Sequence, residues 1–120
     1  MEHYFKKVQA FFGKDNCSLD RRSIIFQSEE FADFDNFFNK FKQFLHVEEC
    51  PYRQFDLLVN YDVESSTDNQ VISRYMLMDE IFMDTIDQLE IAIGCPCPLH
   101  IFKKINYIEV IFHNSYNFDC

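Results

Sequence analysis

SEEFADFDNFFNKFKQFLH, residues 28–46, places phenylalanine or leucine at positions 31, 34, 37, 38, 41, 44 and 45. At about 100° per residue these side chains fall within an arc of roughly 140° on a helix. Asp33, Asn36, Asn39, Lys40 and Gln43 fall on the other side. Ser28 suits an N-cap, and Glu29 and Glu30 follow where the helix dipole favours acids. Lys40, Lys42 and His46 lie in the later turns, where it favours bases. The segment therefore reads as an amphipathic core helix, and its phenylalanines read as packing rather than as a ligand box.

Working outward, residues 3–12 predict a short helix with Tyr4, Val8 and Phe11 or Phe12 inward and Gly13 at its end. The polar stretch 13–22 reads as a loop, and SIIFQ from Ser23 as a short β-branched strand. Downstream, RQFDLLVNYDV alternates. Phe55, Leu57, Val59 and Tyr61 share one face, while Asp56, Leu58, Asn60 and Asp62 share the other, as in a strand buried on one side. VISRYMLM predicts its partner strand, although Val71, Ile72 and Tyr75 also fit a helix. DEIFMDTIDQLEIAIG predicts one helix capped by Asp79, with Phe82, Ile86, Leu89 and Ile93 inward and Gly94 at its end; Pro96 and Pro98 prevent its continuation. INYIEVIFHN predicts a closing strand. The order helix–strand–helix–strand–strand–helix–strand, joined by loops of this length, implies one α+β domain over residues 1–120. It has about four mostly antiparallel strands packed by two or three helices.

The chain has 120 residues, 48% of them apolar, with fifteen Phe and no Trp. That supports a single core and excludes the disordered class. With two glycines and three prolines it offers few tight turns, which argues against phosphate-cradling loops and many-stranded barrels. MEHYFKKVQAFFGKD has no apolar stretch of signal-peptide length, and no run is long enough to span a membrane, so a cytoplasmic protein is expected. Five cysteines then read as free thiols.

The formal charge is −9, too acidic for direct nucleic-acid binding or for an anionic membrane surface. Between Asp56 and Glu90 nine acids face a single base, Arg74, so that this stretch carries −8 of the total. A solvated acidic surface explains such a run without a function; a surface for a basic partner explains it with one. On the predicted helix Glu80, Asp84 and Asp87 form one ridge, with Ile91 among them as an exposed apolar anchor. Asp62, Glu64, Asp68 and Asp79 complete the expected partner-binding set. These carboxylates lie in solvent rather than in a cleft that would tune them for acid–base catalysis.

Cys95, Cys97 and His100 are the residues with the look of a metal or thiol site. Their spacing, Cys-x-Cys-x-x-His, departs from structural zinc patterns, which begin C-x₂₋₄-C, and from the redox C-x-x-C. Cys50, Cys120 or His113 would be needed to complete a tetrahedral set. The flanking prolines favour a packed turn after a helix. No catalytic residue and no cofactor is assigned.

In size, acidity, single-domain character and absence of catalytic motifs, the chain resembles the immunity proteins of bacterial polymorphic-toxin and contact-dependent inhibition systems. The resemblance covers overall character across the whole chain and carries no motif. It implies a binding inhibitor that neutralises a basic toxin, a nuclease domain, through the acidic segment 56–90. Two alternatives stand beside it. One is a nucleic-acid mimic that inhibits a host or phage defence protein with the same carboxylates. The other is a Cys/His metal-dependent or thiol hydrolase built on Cys95, Cys97 or His100.

Overall fold

The computed structural model describes residues 2–47, 50, 52, 54–62, 69–93 and 104–113. The chain forms α1 (Glu2–Phe12), a 3-10 turn (Lys14–Asn16), β1 (Cys17–Ser18), β2 (Ser23–Phe26), α2 (Phe31–Val47), β3 (Gln54–Asp62) and β4 (Asn69–Leu77). It continues with α3 (Met78–Ile81), α4 (Thr85–Ile93) and β5 (Ile105–His113). The strands make one antiparallel sheet in the order β1-β2-β5-β3-β4. The fold is α+β, with five strands rather than four. The extra strand, β1, arises because the chain from Cys17 folds back on Ser23 and Ile24 through Arg22, which adopts a φ of +53°.

The two strands that alternate most clearly in sequence are neighbours at the centre. Phe55 faces Phe112, Leu57 faces Val110 and Val59 faces Ile108 across β3 and β5. All six side chains are buried on the face that the helices cover. The helices arrive there through aromatic contacts. Phe41 of α2 lies 5.7 Å from both the Phe55 and Phe112 rings, and Phe5 of α1 meets Phe112 edge-on at 5.8 Å. Phe34, Phe37, Phe38, Phe41, Phe44 and Leu45 are all buried, whereas Asp33, Asn36, Asn39, Lys40 and Gln43 are exposed, as the stripe in residues 28–46 predicts.

The start of α2 differs from expectation. Ser28 does not cap it. Its Oγ accepts from the Glu30 N–H at 3.1 Å and donates to Asp33 at 2.7 Å, while the Glu30 carbonyl accepts the first helical bonds. A hydroxyl satisfied by a local turn two residues earlier delays the helix to Phe31. Gly13 ends α1 as expected. Its N–H closes on Gln9 O at 2.9 Å and its φ is +97°, a region that a side chain strains.

The single helix expected over 79–94 is two. α3 stops after Ile81, where the N–H groups of Phe82 and Met83 bond to the carbonyls of Asp79 and Glu80, three residues back, at 3.2 Å each. Helix winding resumes when Asp84 O accepts from Gln88 N at 2.9 Å. This restart resets the phase. Thr85, Gln88, Leu89 and Ala92 face the core of α4, Ile86 and Ile91 are half-buried, and Phe82 turns outward. The side chain of Ile93 lies outside the described residues. Asp79 is not the cap of α3 either. Leu77 takes that position, and its N–H donates to Glu80 Oε1 at 2.9 Å. Among the described residues no helix is long and apolar enough to cross a membrane.

Candidate partner-binding surface

β4 runs into α3, and α3 turns sharply into α4. This corner carries most of the sequence-predicted site that the structure describes. Asp79, Asp84 and Asp87 are exposed. Beside them Leu77 is 54% exposed and Phe82 46%. Apolar side chains are exposed elsewhere too, at Phe11, Val47 and Val71 among others; Leu77 and Phe82 differ in sharing a short stretch with three exposed acids.

The corner is braced from beneath. Gln88 is fully buried, and its Nε2 donates to Ile81 O at 2.8 Å and to Met83 O at 2.7 Å. Both amide hydrogens are thus spent on the two carbonyls that flank Phe82. Thr85, also buried, donates to Asp35 Oδ1 of α2 at 2.8 Å and fixes α4 to the main helix. Phe82 therefore projects from a turn whose backbone is held by buried hydrogen bonds, and presenting it costs little further ordering.

Two expected members of the acidic ridge leave it. Glu80 is half-buried and committed to the Leu77 N–H. Ile91, expected to be exposed, is half-buried on α4, and the shift in helix phase exposes Phe82 instead. Asp62 is exposed at the far end of β3, where it accepts from Asn106 Nδ2 at 3.1 Å. Glu64, Asp68, Cys95, Cys97, His100 and Cys120 lie outside the described residues. The N-cap signal that would have exposed the break, Asp84-Thr85, is present in the sequence, but the continuous apolar pattern across it hides it.

The second polar feature is on the face of the sheet opposite α1 and α2. Ser23 Oγ donates to Glu109 Oε2 at 2.5 Å, and Arg21 Nη2 reaches Glu109 Oε1 at 3.1 Å. The buried carboxylate of Glu109 is thereby paired and hydrogen-bonded. Nearby, Ser73 Oγ donates to Asp56 Oδ1, whose other oxygen stands 4.0 Å from His113 Nε2; His113 Nδ1 lies 3.3 Å from Tyr75 OH. Serine, aspartate and histidine are the parts of a hydrolytic triad, yet the wiring differs. The Ser73 hydroxyl donates to the carboxylate and not to the imidazole, so the serine–histidine contact of a triad is not the one formed here. The group ties β4, β3 and β5 together.

The described cysteines lack the setting of reactive thiols. Cys50 is buried and donates to Tyr52 O at 3.5 Å. Burial pushes the Cys17 thiol up to about 11 from the ordinary 9.0. Among the described residues no three His, Cys, Asp or Glu side chains converge as metal ligands. Comparison of the chain with family models, with curated proteins and with solved structures gave no match.

Proposed function

We propose that this chain is an acidic protein-binding inhibitor of the immunity type, which neutralises a basic toxin domain with nuclease activity. The observation that carries the reading is Phe82, an exposed aromatic on a braced turn with exposed Asp79, Asp84 and Asp87 around it. Interfaces draw most of their energy from a few desolvated aromatic anchors, and charges around the anchor steer association and set specificity. The net −8 between Asp56 and Glu90 gives the steering its sign. Two exposed apolar side chains, Leu77 and Phe82, in the same stretch as the acids fit a protein partner better than phosphate mimicry, which needs carboxylates alone.

A photo-crosslinking residue at position 82, used in the native host, tests this. The expected product is a complex with a strongly basic domain whose nuclease activity falls on titration with one equivalent of the chain. A captured partner that is acidic, or one whose activity is unchanged by the chain, rules the reading out.

A further inference from the structure

We propose that the outer edge of β4 accepts an extended strand from the basic partner, which adds to the five-stranded sheet. This rests on the reading of a basic partner and names how part of that partner is held. β4 is last in the strand order, and among the described residues it pairs only with β3. Natural edge strands are guarded by charge, proline, bulges or short length. β4 has none of these guards beyond one charge. Its nine residues pair with β3 in unbroken register, it holds no proline, and Arg74 is its single charged residue. On the face away from α1 and α2, Val71, Tyr75 and Leu77 are 53%, 56% and 54% exposed. With Ser73 between Val71 and Tyr75, they fill alternate positions along one face, where alternate side chains of an added strand meet them.

Charge decides what the occupant is. Two copies related by a twofold axis at Ser73 would pair β4 antiparallel, with Leu77 of one copy opposite Asn69 of the other. Each acidic corner would then approach the Asp62 end of its mate, between chains that each carry −9. Like charges oppose that pairing, and the same acids attract lysine or arginine on a foreign strand. The segment that fits has apolar side chains at alternate central positions and basic residues at its ends.

Amide hydrogen exchange of the full chain, read by NMR with the peptide Lys-Lys-Val-Thr-Val-Thr-Val-Lys-Lys, tests this. Exchange should slow along β4, with saturable binding. Binding should weaken about tenfold in Val71→Lys/Tyr75→Lys, whose sites are exposed, and about tenfold for a peptide of equal charge with proline at its centre. Equal binding of the proline peptide, or protection confined to residues outside β4, overturns the proposal. So does self-association of the chain that Val71→Lys/Tyr75→Lys abolishes, because the occupant is then a second copy. A peptide with serine in place of lysine separates the two readings. If it protects β4 as well as the lysine peptide does, strand addition survives and the basic partner does not.

Discussion

At the scale of single residues, Gln88 connects stability to the presentation of Phe82. Replacing it with leucine keeps the apolar contact area and removes two hydrogen bonds, leaving the Ile81 and Met83 carbonyls without their donor. Gln88→Leu is expected to lose about 2–3 kcal/mol in urea denaturation. Phe82→Ser should change stability by no more than about 0.5 kcal/mol, because the ring is already half in water. A large loss in Phe82→Ser would mean that the ring packs inward, as the sequence periodicity suggests. Cys17 offers a chemical check. Its thiol, raised to about 11, ionises only as the pH climbs toward that value, so near neutral pH it holds about a hundredfold less thiolate than a thiol at 9.0. Site-resolved alkylation by mass spectrometry should find Cys17 correspondingly slow at neutral pH and accelerating through alkaline pH; rapid reaction at neutral pH would contradict its burial.

At the scale of elements, α2 is the keystone, and its Phe41 ring has Phe12 of α1, Phe37 of its own helix, and Phe55 and Phe112 of the sheet around it. Phe41→Ala is expected to lose about 3–5 kcal/mol on chemical denaturation, a large share of a small domain's stability. A loss under about 1 kcal/mol would deny α2 its place in the core. The helix was legible in sequence because a single segment contains its whole signal: a stripe of Phe and Leu with polar residues opposite. β3 and β5 were legible for the same reason, through alternation. What sequence did not carry was anything set by partners elsewhere in the chain. The central place of β5, the pairing of Phe55 with Phe112, and the meeting of Asp56 with His113 and Ser73 all depend on long-range register. β1 is too short to leave a pattern at all. The break between α3 and α4 was obscured differently. Ile81 and Phe82 are adjacent and both apolar, and periodicity chose Phe82 for the core, whereas the backbone turn buries Ile81. Of the candidate site, the acids Asp79, Asp84 and Asp87 were legible as exposed, whereas Ile91, expected outward, is half-buried and Phe82, expected inward, is exposed.

At the scale of the whole molecule, the charge and the fold point the same way. The helices α1, α2 and α4 gather on one side of the sheet, and the acidic segment folds into β3, β4 and the corner beyond them. Steering by a charge of this size weakens with salt, since exposed charges more than about 10 Å apart are screened at about 0.1 M. Association with a basic partner should therefore slow markedly as salt rises, while dissociation, which the proposed interface assigns to apolar contacts of Phe82 and Leu77, should change much less. The most direct measurement is titration calorimetry of the partner captured at position 82, comparing the unaltered chain with Asp79→Lys/Asp84→Lys/Asp87→Lys at about 0.15 M salt. Affinity is expected to fall by about a hundredfold or more, with the fold of the variant intact by circular dichroism. Equal affinity of the folded variant would contradict the assignment of the α3–α4 corner as the surface this protein uses.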